Sequence, residues 1–278
     1  MTMFNTPGIH WLEMLGNSPS LVKLLAFFFV WTVVWFPILI PLARLINWHP
    51  VKPLTGNQKL PLLASLYLIA PLIVWGATRV ERCSLADYGL FLNWKIFLSL
   101  FLGLTLSVGG IILLFTAQYL LGWVQWQGVN MHRLWLNFIP LFAVGIGVGF
   151  TEELVFRGFL LSELTQDYTF WISATISSII FAVLHLIWEQ KETIPQLPGL
   201  WLMGMVLSAA KLIDGGGLGL AIGLHSGWIF ALSSLMTAEL IVFSDNISPW
   251  ITGFNQQPLA GIAGVLFLLF TAAVLWVL

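Results

Sequence analysis

Charge is what this sequence has least of. Only 8% of its 278 residues are Asp, Glu, Lys or Arg, against roughly 25% in a soluble globular domain. So few charges cannot cover a water-facing surface, and most of the exterior is therefore expected to meet lipid. A net charge of −1 removes the electrostatic case for nucleic acid as a partner. Cysteine is nearly absent as well: Cys83 stands alone, which excludes an internal disulfide and leaves the redox compartment unread. Two catalytic spacings are missing, H-E-x-x-H and G-x-S-x-G, and with them the commonest helical zinc-protease site and the serine-hydrolase elbow. There is no internal repeat or low-complexity tract, and the linkers leave no room for a soluble domain.

Long apolar runs fill the space. Hydrophobic residues make up 59% of the chain, and the mean hydropathy is +0.93. A span needs about 20 mostly apolar residues. Runs of that kind lie near 21–46, 60–79, 95–122, 134–163, 169–188, 199–213, 217–243 and 256–278. The expected fold is an all-α, polytopic transmembrane helix bundle of about eight spans. It reads as one membrane domain over 1–278, with a motif-bearing core at about 134–240. The first run is too long for a signal-peptide core of about 7–15 residues, so it is expected to remain as a helix. Pro37 and Pro41 should kink it. The sixth run is short and ends at Lys211 and Asp214. Tryptophans near the proposed ends (Trp11, Trp48, Trp94, Trp123, Trp126, Trp135, Trp188, Trp201 and Trp250) form an interfacial belt. With Arg157 set aside, Lys and Arg divide evenly between the two sets of loops, so the positive-inside rule fixes no orientation. The protein is expected to be an integral, multi-pass component of the cell membrane.

Most charged residues fall in loops, but one group does not. Thr151-Glu152-Glu153-Leu154-Val155-Phe156-Arg157 follows an apolar stretch and continues into Gly158-Phe159-Leu160-Leu161. A charge at the bilayer centre costs about 2.5–3.5 kcal/mol on insertion scales, so such groups need partners. Glu153 and Arg157 stand at i, i+4, the spacing of an ion pair on one helix face. Glu152 points about 100° away and is free to face a cavity. His185, in the fifth run, and His225, in the seventh, are two further intramembrane polar groups. Glycines at 145 and 149, and at 219, 223 and 227, give small-residue faces on the spans that carry Glu152 and His225.

A Glu and a His sharing a water form a general base and proton shuttle, and a second His can hydrogen-bond an oxyanion. The same three side chains, Glu152, His185 and His225, could instead hold zinc. Ser226 adjoins His225, but neighbouring helix positions diverge, which makes it a poor nucleophile.

Glu152-Glu153-x-x-x-Arg157, Phe181-x-x-x-His185 and His225, in this order, resemble the three motifs of the CAAX protease and bacteriocin-processing (CPBP, or Abi) family. Leu85-Ala86-Asp87-Tyr88-Gly89-Leu90 is similar to its prokaryotic members, and the resemblance covers mainly residues 85–240. It implies an intramembrane endopeptidase acting on a membrane-associated peptide or lipidated protein. Glu152 and His185 would activate water, Glu153 and Arg157 would organise the site, and His225 would help form the oxyanion hole. No cofactor is favoured, and zinc is the alternative. The third motif usually continues to Asn or Asp, but here the residue is Ile229. That departure motivates a second reading, a catalytically silent scaffold or partner-binding protein of the same fold. Intramembrane Glu, Arg and His also mark permeation paths, so a small-solute transporter is the third.

Overall fold

A computed structural model describes residues 7–49, 55–128, 131–187 and 190–278. Trp188 of the expected aromatic belt lies outside them. The described residues open with a short helix, α1 (Pro7–Gly16), that the sequence reading did not anticipate. Trp11, Leu12 and Met14 are exposed on it, and Glu13 pairs with Arg82 at 2.5 Å. The first spans are α2 (Ser20–Leu45), α3 (Gly56–Glu81) and α4 (Trp94–Leu120). Helix α2 continues through both Pro37 and Pro41.

The fourth span is compound. Helix α5 (Met131–Glu153) passes into a wide π-type turn over Leu154–Leu160 and resumes as α6 (Leu161–Asp167). Next come α7 (Phe170–Leu184), the single turn α8 (Gln190–Thr193), α9 (Leu197–Ile213) and α10 (Gly219–Thr237). A second single turn, α11 (Pro249–Thr252), precedes α12 (Ile262–Val277). Among the described residues seven helices are long and apolar enough to cross a membrane, and α12 is a shorter apolar helix. The all-α bundle expected from the sequence is therefore borne out.

The seventh span ends earlier than the apolar run suggests. Glu239 adopts a left-handed backbone at φ 53° just beyond the helix end. The β-branched stretch Ile241–Phe243 then forms β2, which pairs antiparallel with β1 (Val124–Trp126) in the register Val124 to Phe243. This two-stranded ribbon ties the loop after α4 to the loop after α10.

Helix α10 is the centre of the bundle, and its residues 219–228 are all buried. Its glycine face meets α4 rather than α5. A Cβ on Gly223 would strike the Leu100 carbonyl and come within 2.9 Å of the Leu104 amide. A Cβ on Gly103 of α4 would strike the facing Leu220 carbonyl in turn. Helix α5 reaches α10 through its own pair, Gly145 and Gly149, which lie against Ser226. The small-residue spacing thus marks close contact, as expected in lipid, but along two seams. Overpacking of this kind costs about 1–3 kcal/mol, so Gly223→Leu is expected to lower the thermal midpoint in detergent. An unchanged midpoint would mean that the α4–α10 seam is loose.

Two lysines read as loop residues are in fact interior. Lys23 is 5% exposed and Lys211 is 8% exposed. Lys23 Nζ donates to Glu81 at 2.8 Å, to Glu163 at 3.0 Å and to Gln166 at 3.1 Å, joining α2, α3 and α6. Each ammonium sits among acceptors, the condition for keeping a charge away from water.

Candidate active site

The wide turn sets the site's backbone. In it the amide of Leu161 reaches back five residues to the Phe156 carbonyl, which leaves peptide groups that regular i−4 bonding would have paired. Two neighbours add donors to carbonyls of the turn. Ser177 Oγ on α7 donates to the Phe156 carbonyl at 2.9 Å, and Lys211 Nζ on α9 donates to the Arg157 carbonyl at 2.6 Å. The same ammonium donates to Ser162 Oγ at 3.0 Å and to the Tyr88 carbonyl at 3.3 Å. Lys211 therefore also fastens the 85–90 segment. That segment is anchored further by the bond from the Leu218 amide to the Gly89 carbonyl, 2.9 Å long. Outside the spans, the Ser84 backbone N–H and hydroxyl hold the Asp87 carboxyl below its usual range.

The expected ion pair is present. Arg157 Nη1 donates to Glu153 Oε1 at 3.0 Å, with both side chains fully buried. The guanidinium also lies over the Phe181 ring, 4.6 Å from its centroid. His225 Nδ1 is 2.8 Å from the same Glu153 oxygen. A carboxylate only accepts, so Nδ1 carries the proton and Nε2 is left to face elsewhere. It faces Glu152, whose Oε2 is 3.6 Å away.

Glu152 lies between helices. Its Oε1 accepts a hydrogen bond from the Tyr67 hydroxyl of α3. It lines a cavity of about 300 Å³ together with His185, walled by Phe28, Trp31 and Trp35 of α2 and by Phe156. His185 stands where α7 gives way to a tight 3₁₀ turn, His185–Ile187. Its Nδ1 is 2.7 Å from the Phe181 carbonyl. A carbonyl cannot donate, so this contact places the proton on Nδ1 and leaves Nε2 as a base. The Phe181 ring separates the two histidines, with its centroid 4.6 Å from that of His185 and 5.9 Å from that of His225.

All five candidate residues thus fall in one region, but they are not equivalent. Glu152 and His185 share the cavity, whereas His225 is 3% exposed and touches Glu152 from within the packed bundle. Ile229, one turn further along α10, is half-buried. Trp228 turns to the Phe267 ring of α12 instead. The Ser226 hydroxyl is wedged against Gly149. Among the described residues no group of three or more His, Cys, Asp or Glu side chains could hold a metal ion. Tyr67 went unnoticed in the sequence, and Lys211 was read only as the end of a span. Tyr67 carried a usable signal, a tyrosine in the middle of an apolar span rather than at its end.

Comparison with known proteins bears on the same region. Residues 133–231 match the family described as Type II CAAX prenyl endopeptidase Rce1-like. An "Uncharacterized 24.3 kDa protein" of Escherichia coli is 31% identical over 80 residues, 28% of this chain. The alignment spans 36% of that curated relative's length. No solved structure matches. The chain is a multi-pass integral membrane protein, and the CPBP resemblance of its motifs is borne out by the match of residues 133–231 to the Rce1-like CAAX prenyl endopeptidase family.

Proposed function

We propose that this protein is an intramembrane endopeptidase of the cell membrane that hydrolyses a peptide bond of a membrane-associated or lipidated substrate, using water activated by Glu152 and His185. The observation that carries this reading is the shared cavity: a carboxylate and a basic imidazole nitrogen line one recess between apolar helices. A water held between them can lose a proton to Glu152 as its oxygen attacks the peptide carbonyl carbon. The tetrahedral intermediate then collapses, the C–N bond breaks, and the proton returns to the leaving amine. His185 Nε2 accepts from the water and sets its line of attack. Glu153, Arg157 and His225 hold Glu152 in place, because His225 contacts both carboxylates and Arg157 neutralises one of them. The aromatic wall excludes bulk water, which strengthens these polar contacts.

A metal-free route is favoured because one oxygen of Glu152 and both nitrogens of His225 already face protein partners. A panel of hydrophobic peptides that includes a prenylated CAAX sequence tests the proposal in proteoliposomes. Wild type should cleave at least one of them, with or without a strong chelator, and Glu152→Ala and His185→Ala should not. Loss of cleavage on chelation would replace the water-only route with a metal-bound one. Equal product from all three proteins, or none from any, would overturn the peptidase reading. It would favour the partner-binding alternative that Ile229 motivates.

A further inference from the structure

We infer that Tyr67 of α3 hydrogen-bonds the oxyanion in this reaction and is a catalytic residue of the site. The inference rests on the peptidase reading and adds a member to it.

Tyr67 occupies a singular place. Its hydroxyl is bonded to Glu152, the group expected to take the proton of the attacking water. It also borders two cavities, the one holding Glu152 and His185 and a second of about 380 Å³ between α3 and α5. The second is lined by apolar side chains such as Leu63, Leu68 and Val148, and it meets the first at Tyr67 and Thr151. A peptide entering either recess would pass this hydroxyl.

Other donors around the first cavity are already engaged. Trp31 Nε1 donates to the Leu66 carbonyl at 3.2 Å, and Trp35 Nε1 donates to Ser65 Oγ at 3.0 Å. Thr32 Oγ1 donates to the Phe28 carbonyl at 2.8 Å. His185 commits its N–H to Phe181, and His225 does not line the cavity. Thr151 also borders the cavity, but Tyr67 is the hydroxyl bonded to Glu152.

The bond to Glu152 makes the hydroxyl available at the moment it is needed. At rest the phenol donates to a carboxylate. When Glu152 takes the water proton, the carboxylate becomes a neutral acid and a weaker acceptor. In the same step the attacked carbonyl oxygen gains negative charge and becomes a stronger one. The hydrogen bond passes from the first oxygen to the second, while Tyr67 keeps its own proton. When the C–N bond breaks and the amine takes the proton back, the carboxylate is restored and the bond returns to it.

The test uses the peptide that wild type cleaves fastest in the panel, with a phosphinic analogue of that peptide as a tetrahedral mimic. Losing one oxyanion donor costs about 10²–10³ in rate, so Tyr67→Phe should lower kcat by about 10²-fold and leave KM within about threefold. Affinity for the phosphinic analogue should fall in step with kcat/KM, since both report the transition state. A Tyr67→Phe enzyme that keeps kcat within about fivefold overturns the assignment. So does one that loses kcat but binds the analogue as wild type does, because the hydroxyl would then only position Glu152. If Glu152→Ala is inactive while Tyr67→Phe is not, this inference alone fails. If Glu152→Ala also cleaves, the peptidase reading fails with it.

Discussion

Glu152→Gln should lower single-turnover cleavage by about 10³-fold, within the 10²–10⁴ that a positioned general base contributes. The substitution is informative because it preserves the geometry. An amide oxygen still accepts from the Tyr67 hydroxyl, and the side chain keeps its length and its place beside His225. What it loses is the ability to take a proton. The fold should therefore survive while turnover does not. Single-turnover rates in proteoliposomes, measured beside a thermal midpoint in detergent, separate the two. A variant that retains more than about a tenth of the wild-type rate would remove Glu152 from the role of base.

Arg157→Leu should be the most destabilising single change in the site. Removing one partner of a buried ion pair costs about 3–5 kcal/mol, because the other charge is left behind. Here Glu153 would keep only His225 as a polar partner, with no exposure to water. Replacing both members, as Glu153→Gln with Arg157→Leu, should recover much of that loss. The amide oxygen of Gln can still accept from His225, and the charge of Glu153 is removed together with that of its partner. Denaturant titration of the single and double variants in mixed micelles reads the difference. A single variant within about 1 kcal/mol of wild type would show that the pair is not buried as tightly as its geometry implies.

The sequence revealed spans and pairs far better than it revealed neighbours. The pairing of Glu153 with Arg157 was legible because i, i+4 spacing is a local property, and here the wide turn begins only after Glu153. The eight apolar runs were legible because lipid demands them. Lys23 and Lys211 were misread as loop residues because their acceptors come from other helices: Glu81 and Glu163 for one, the Arg157 carbonyl for the other. No spacing rule brings such residues together. The glycines of α10 announced a close approach but not its partner, and that partner is α4. The π-type turn was hidden for a related reason. It is stabilised by donors on α7 and α9, which a reading of residues 154–160 alone does not contain. Tyr67 was within reach, since a polar group in mid-span asks for a partner, but it was passed over as an interfacial aromatic might be.

The widened turn also constrains how the chain can vary in length. It accommodates one residue more than regular winding would, and everything beyond it is aligned accordingly. Deleting one position after Arg157, within 158–160, would return the helix to regular winding and leave the residues beyond it facing as they do. A second added residue would instead swing Glu163 and Asp167 by about 100° about the axis. Glu163 would leave Lys23, and Asp167 would leave the Ser20 amide it accepts from at 2.6 Å. This stretch should therefore tolerate the loss of one residue after Arg157 better than the gain of one, while its buried side chains leave little room for replacement.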